Sequence, residues 1–266
     1  PRVRRQRQMC IRDRKKQSTM IACALAAVSG VLLCLGGCNQ SPEVVIYSNA
    51  DEESRLAMQD ALDRAGFSGQ YIFSSFSTSE LGGKIMAEGG NIEADVITAS
   101  TYYLESAQQA HRMFAPLSFT FHALEKTPGF CAPLTAQEGA IFINTRALQE
   151  NGLPRPASLK DLASPAYKGF ISIPNIRSSS TAWLMVQALV SAYGEQEAGR
   201  LLHGMMENAG PHLENSGSGP LKKVRAGEVA IAFGLRHQAV ADRKAGLPID
   251  YVDPAEGNFM LTESVC

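Results

Sequence analysis

Residues 43–66 read EVVIYSNADEESRLAMQDALDRAG, and the same pattern recurs twice before residue 111. Glu43–Tyr47 is a short β-branched run that reads as a strand. Ser48-Asn49-Ala50-Asp51 then gives a turn and a helix N-cap signal. Glu52 to Ala65 reads as an amphipathic helix, with Leu56, Met58, Ala61 and Leu62 on or near one face and Gly66 closing it. The second unit is the strand Gln70–Ser74, followed by Ser77-Thr78-Ser79-Glu80 opening a helix to Glu88 and Gly89-Gly90 ending it. The third is the strand Ala94–Ala99 and a helix from Thr101 to His111. Three strand–helix units in a row predict an α/β fold with a parallel sheet and helices on its faces. No Gly-rich phosphate loop follows any of these strands, so nucleotide binding has no support.

Toward the C-terminus the pattern breaks and resumes. Pro116 to Pro133 is irregular, with Phe114, Phe119, Phe121 and Phe130 close together. Gly139–Asn144 reads as a strand and Thr145–Asn151 as a short helix, with Pro154 and Pro156 punctuating the loop after it. Phe170–Ile173 is a strand, Ser180–Tyr193 a helix carrying the only tryptophan, Trp183, and Glu195–Gly210 another helix. Leu221–Ala226 is a short helix, Val229–Phe233 a strand, Arg236–Ala245 a helix and Ile249–Val252 a last strand. This is a second α/β unit. No internal repeat appears.

Toward the N-terminus the composition changes. The 266 residues are 45% hydrophobic and 19% charged, which excludes a disordered tail, a collagen-like fibre and a small disulfide scaffold. The net charge of -1 hides an asymmetry: residues 1–16 carry eight basic residues against Asp13, while Cys38 onward carries 17 basic and 25 acidic residues. So acidic a folded part excludes the basic face that nucleic acid needs. Met20–Leu35 (MIACALAAVSGVLLCL) is apolar but short of the ~20 residues of a membrane span. With Lys15 and Lys16 before it and Leu35-Gly36-Gly37-Cys38 after it, residues 15–37 read as a lipoprotein signal peptide. The four residues resemble a lipobox, with Cys38 as the lipidated residue; an ordinary signal with an incidental cysteine is the alternative. Residues 1–14 (PRVRRQRQMCIRDR) resemble translated adapter and are expected to be a non-native segment. Of the remaining cysteines, export would permit a Cys131–Cys266 bond, but none is expected. No Cys/His cluster has zinc spacing.

VVIYSNADEE, ADVITASTYYL, PASLKDLASPAYKGFISIPN, SSSTAW, GEVAIAFGLRHQAV and PIDYVDPAEGNF occur in this order. Together they resemble the extracellular (periplasmic) solute-binding proteins of ABC importers, in the branch of ferric-iron, 2-aminoethylphosphonate and sugar-phosphate binders. The resemblance covers about Glu43 to Asn258. It implies a two-lobe periplasmic-binding-protein fold, type II-like, with residues 38–132 as lobe 1, 133–250 as lobe 2 and 251–266 returning toward lobe 1. The return strand is expected near Ile249–Val252. Since little chain follows, lobe 1 is expected to be incomplete through truncation at the C-terminus. It also implies a monomer, lipid-anchored on the periplasmic side or cell surface, that hands a small anionic ligand to an ABC permease without a cofactor.

In open α/β sheets ligands lie beyond the carboxyl ends of strands, where helix N-termini suit anions. The candidate ligand-binding residues are the hydroxyl and amide groups at those junctions: Ser48 and Asn49, Ser77 and Thr78, Ser100 and Thr101, Ser178, Ser179, Ser180 and Thr181, and Ser216 and Ser218. Each could equally be a local helix cap. Four hydroxyls in a row at 178–181 exceed what one cap needs, and by resemblance that run and Ser216-Gly217-Ser218-Gly219 fall where the family contacts its ligand. Arg236 and His237 follow a strand; a guanidinium matches a phosphate or phosphonate with two hydrogen bonds, although His237 could be a core residue. Arg177 could be a charge partner or a solvated loop residue, and Tyr102 or Tyr103 could wall the cleft or pack in the core. Asp51, Glu52 or Glu138 could receive a ligand amine. Ferric binders of this family use a tyrosine pair from the second lobe, and residues 232–241 contain none. The expected ligand is therefore an organophosphonate or phosphate ester, with ferric iron as the alternative. An enzyme on the same fold finds no GxSxG, paired carboxylate or Cys/His motif here. A sensor binding the same ligand is indistinguishable by sequence.

Overall fold

The computed structural model describes residues 43–266 apart from Glu125; the segment 1–14, the signal 15–37 and Cys38 lie outside the described residues. The three N-terminal units form as expected: β1 (Val44–Ser48), α1 (Glu52–Leu62), β2 (Tyr71–Ser75), α2 (Thr78–Glu88), β3 (Val96–Ser100) and α3 (Thr101–His111). β1 pairs in parallel with β2 on one side and β3 on the other. The polar residues after each strand set the helix starts. The Asp51 carboxylate accepts from the Ser54 N–H at 2.8 Å. Ser77 and Glu80 form a reciprocal capping box, the Ser77 N–H donating to the Glu80 carboxylate at 2.8 Å. Gly66, at φ 92°, turns the chain after α1.

One strand carries the chain between two halves of the sheet. β4 (Ala132–Asn144) is 13 residues long, more than twice the Gly139–Asn144 segment expected from sequence. Through Ala132–Glu138 it runs antiparallel to β9 (Met260–Val265), and β9 in turn pairs with β3. Through Gly139–Ile143 it pairs with β7 (Ile231–Leu235), and β7 continues in parallel to β5 (Ile171–Pro174) and β6 (Leu213–Glu214). The order β2-β1-β3-β9-β4-β7-β5-β6 is thus mixed, not purely parallel. The expected return strand is corrected: β8 (Ile249–Val252) pairs with Ile141–Asn144 in the second half, and β9 makes the return. Pro133 and the polar residues Thr135 and Gln137 hid the first half of β4, because a crossing strand is only partly covered by core.

The second half is completed by α4 (Thr145–Glu150), α5 (Thr181–Ala209), α6 (Gly219–Ala226) and α7 (Arg236–Lys244). α5 is two helices across a kink at Gly194, φ 75°, where the sequence pattern divides them. Alternation along β4 builds two apolar layers. Ile141 joins Ile171, Ile173, Leu184, Met185, Leu189 and Phe233 on one face, and Phe142 joins Leu221, Val224 and Ile249 on the other. Gly234 lets the Phe142 ring lie across β7; a Cβ there would meet the ring at 2.5 Å. In the first half Tyr47, Leu81, Ile85, Ile97 and Leu104 form a third cluster, under α2 and α3. α1 contributes no buried residue.

The expectation of free thiols is also corrected. Cys131 and Cys266 form a disulfide, with Cα atoms 4.4 Å apart. β4 and β9 pair with Ala132 opposite Val265, so the next step outward sets the two cysteines face to face. They are separated by 135 positions in sequence, which is why no local pattern announced them.

Candidate functional site

A cavity of about 420 Å³ opens where the starts of four helices meet. Its wall from the first half is Asn49–Glu52 before α1 and Phe76–Thr78 at the start of α2. Its wall from the second half is Ser178–Thr181 at the start of α5 and Leu213–Ser218 before α6, with Gln137, Leu235 and Glu263 on the crossing strands and β7. Strand-to-helix junctions cluster here because each strand of a half delivers its carboxyl end to the same side.

The hydroxyl wall is tied together across the two halves. The Thr78 hydroxyl accepts from the Asn49 side-chain amide at 2.9 Å and from the Ser180 N–H at 3.3 Å, and it donates to the Ser180 hydroxyl at 3.4 Å. α5 and α6 start without a side-chain hydrogen bond from their N-cap residues Ser180 and Ser218, whereas α1 and α2 are capped by Asp51 and Ser77. The Ser216 hydroxyl accepts from the Gly219 N–H at 3.1 Å and shapes the loop. Gly217 is required by the packing: a Cβ there would be driven into the Thr181 side chain, its Cβ 3.0 Å away. The Ser178 hydroxyl and the Asn49 side-chain carbonyl are buried with no hydrogen-bond partner among the described residues.

Nine of the fourteen candidate residues therefore line one cavity: Asn49, Ser77, Thr78, Ser178, Ser179, Ser180, Thr181, Ser216 and Ser218. The other five lie outside its lining. Ser48 is fully buried and accepts from the Thr98 hydroxyl at 2.6 Å, locking β1 to β3. Ser100 is buried at the end of β3, and the Thr101 hydroxyl binds the Thr262 carbonyl at 3.1 Å, fastening α3 to β9. The Arg236 guanidinium reaches Asp253 at 2.9 Å and lies over the Tyr251 ring at 5.1 Å. His237 lines a second, mainly apolar cavity of about 450 Å³ that shares Ala50, Gln137 and Glu263 with the first. Arg177 is exposed, and Tyr102 is 74% exposed with its edge to Tyr103. Of the carboxylates considered for an amine, Asp51 and Glu52 line the cavity and Glu138 does not.

The charge of the lining is the surprise. Among the described residues it holds Asp51, Glu52, Glu214 and Glu263, and no lysine, arginine or histidine. Lys222 stands 3.0 Å from Glu52, and its hydrogen bond holds that carboxyl below the usual carboxylate range; Lys223 stands 3.6 Å from Glu214. Glu263 is different. Its carboxyl is buried, and that desolvation, with the nearby Asp51 charge, pushes its pKa up to about 7. Sequence reading missed Glu263 because β9 itself was not read as a strand, and Gln137 for the same reason on β4. Asn215 and Glu214 adjoin the Ser-Gly-Ser-Gly run, which was the available signal for them.

Comparison with known proteins agrees with this architecture. The model of the family described as bacterial extracellular solute-binding protein matches residues 98–266. An uncharacterized protein of Haemophilus influenzae (strain ATCC 51907 / DSM 11121 / KW20 / Rd) is 26% identical over 257 residues, covering 91% of this chain and 72% of that protein. Among solved structures, the periplasmic binding protein AfuA from Actinobacillus pleuropneumoniae, with exogenous fructose-6-phosphate bound, superposes with a TM-score of 0.71. The identity is 22%, covering 85% of this chain and 73% of AfuA. Iron-bound HitA from Pseudomonas aeruginosa gives a TM-score of 0.64 at 19% identity, covering 85% and 75%. The chain belongs to the bacterial extracellular solute-binding proteins, and its fold is that of the two-lobe periplasmic binding proteins. Membership implies an exported protein that binds a small solute for an ABC importer. Among the described residues no helix is long and apolar enough to cross a membrane.

Proposed function

We propose that this chain captures a phosphate ester or an organophosphonate between its two halves and delivers it to an ABC permease without chemical change. The observation that carries the reading is the convergence of the hydroxyl-bearing helix starts, Ser77-Thr78 and Ser178–Thr181, on one cavity that both halves line. Backbone N–H groups at a helix start, with adjoining hydroxyls, supply the donors a phosphoryl group accepts. At the second-half helix starts the Ser180, Ala182, Trp183 and Gly219 N–H groups are already bonded to Thr78, Ser179, Ser180 and Ser216, so the donors offered are chiefly the lining hydroxyls. Iron is the weaker reading, because no tyrosine lines the cavity and no group of three metal-ligating side chains occurs among the described residues. A catalytic role lacks a nucleophile–base pair in the lining. The protein acts as a monomer held to the membrane by lipid on Cys38, after removal of residues 15–37.

Isothermal titration calorimetry with a hexose 6-phosphate, 2-aminoethylphosphonate and ferric citrate tests the reading. Saturable binding of a phosphoryl compound, returned chemically intact, is the expected result. Binding of ferric citrate alone would replace the proposal with iron transport. Cys38→Ala is expected to move the exported protein from the membrane to the soluble fraction.

A further inference from the structure

The four carboxylates of the cavity are offset in different ways. Glu52 is paired with Lys222 and Glu214 with Lys223. Asp51 accepts from the Ser54 N–H at 2.8 Å and from the Gln238 side-chain amide at 3.3 Å. Glu263 forms no ion pair with a described residue, although it is only 9% exposed and lines both cavities. Its strand is paired on both sides, opposite Ser100 of β3 and Thr135 of β4, so its backbone cannot shift to carry the carboxyl out to a surface lysine. A carboxyl fixed in such a place loses its charge by taking up a proton. The groups around it are mostly acidic. α1 presents Asp51, Glu52 and Glu53, the last held by Arg225 at 3.0 Å, the segment before α6 presents Glu214, and α7 presents His237. Among the described residues α5 and the turn before it add only Thr181 and the serines to the lining. α3 packs on the opposite face of β9, where Thr101 meets Ser264.

We propose that solute capture is proton-linked through Glu263: the anion binds together with a proton on this carboxyl, so affinity for it falls as pH rises. This rests on the anionic solute of the reading above and adds its regulation. Protonated, Glu263 puts no charge beside the anion and has an O–H to donate. Ionised, it sets a negative charge without a cationic partner against the anion in a cavity that excludes much of the water, where like charges repel strongly. Anion and proton therefore favour each other's binding, as linkage requires. Burial and the Asp51 charge place the titration of the solute-free chain at about pH 7. Affinity is level below that value and falls about tenfold per pH unit above it, until the carboxyl of the complex ionises as well.

Calorimetry on the purified chain tests this with a hexose 6-phosphate, a hexose 6-sulfate, whose own charge does not change near neutrality, and citrate. Each is titrated at about pH 5.5, 7 and 8.5, in pairs of buffers that differ in ionisation enthalpy, so that proton uptake is read directly. The wild-type chain is expected to take up about half a proton per hexose ester bound at pH 7, and to bind the sulfate ester at least tenfold more weakly at about pH 8.5 than at about pH 5.5. Glu263→Gln imitates the protonated form. It is expected to keep the acid-side affinity for the sulfate ester at every pH, without uptake, circular dichroism confirming its fold. His237→Gln is expected to keep the wild-type slope, which separates the histidine of α7 from the effect. A flat wild-type profile, proton release on binding, uptake that persists in Glu263→Gln, or a folded Glu263→Gln chain that binds nothing would overturn the inference. Binding of the phosphate ester without uptake would leave the phosphoryl reading in place and remove the proton link. Binding of the sulfate ester or citrate alone, with uptake lost in Glu263→Gln, would retire the phosphoryl reading and keep the link; if none of the three binds, both fall.

Discussion

At the scale of single residues, Glu263 contributes a pH-dependent loss of stability opposite in sign to that of the paired carboxylates Glu52, Glu80, Asp161, Glu228 and Asp250. Its folded pKa of about 7 lies above the ordinary value of 4.5, so between those values the folded state holds the proton more firmly. The burial penalty is therefore absent below pH 4.5, grows as pH rises through that window, and is complete above pH 7. Glu263→Gln is expected to raise stability by about 3 kcal/mol at pH 8 and to change little at pH 4.5. Urea denaturation at both pH values checks this; an equal gain at both would mean that ionisation is not the cause. Gly217 makes a second residue-scale case. Gly217→Ala is expected to push the Ser216–Gly219 loop away from Thr181 and to weaken ligand binding at least tenfold with little loss of helix content. Calorimetry paired with circular dichroism separates the two effects.

Among elements, the pairing of β4 with β9 bears the most. It carries the chain between the sheet halves, aligns Cys131 with Cys266 and sets Gln137 and Glu263 into the cavity lining. The disulfide closes a span of 135 residues, so the chain-entropy account gives it a contribution of about 4–5 kcal/mol. Reduction, or Cys131→Ala with Cys266→Ala, is expected to lower the urea midpoint substantially. An unchanged midpoint would show that strand pairing alone suffices. The helices were the legible part of the sequence. α3 begins and ends where periodicity and caps put it, and the break in α5 falls at Gly194. β9 was missed because Met260–Val265 mixes polar and apolar residues without clean alternation, as befits a strand between strands of two different halves.

Across the whole molecule, the two halves are joined by more than the crossing strands. Arg225 of α6 donates to Asp242 at 2.7 Å and to Glu53 of α1 at 3.0 Å; Lys222 reaches Glu52, and Gln238 reaches Asp51. These contacts stand beside the cavity, so they hold the halves together over it. The exposed Lys222–Glu52 pair contributes little by itself. Arg225→Ala is more costly, because Asp242 is buried and would lose its partner; a loss of about 2 kcal/mol is expected. The same variant, with one tie between halves removed, is expected to show a larger radius of gyration by small-angle scattering without ligand. A ligand that contacts both halves should restore the compact value, since it shifts the population toward the joined state. An unaltered radius in the variant would assign the ties to stability alone.

What the sequence determined by itself is local. β-branched runs, hydroxyl and acidic caps, and glycine stops identified most strands and helices, because each signal lies within a few residues of the structure it specifies. The resemblance carried by the ordered motifs from VVIYSNADEE to PIDYVDPAEGNF implied the two-lobe binder, and the hydroxyl-rich junctions at Asn49, Ser77-Thr78, Ser178–Thr181 and Ser216–Ser218 supplied most of the cavity wall. Tertiary structure decided the rest. It took Arg236 to Asp253 and Tyr251, outside the cavity lining, and brought in Glu263, which no local pattern marked. It also joined Cys131 to Cys266. The place of Glu263 and the disulfide both depend on the register of β4 with β9, a pairing between segments more than a hundred residues apart. Strand register is set by burial and partner strands together, and neither can be read from one strand's residues alone.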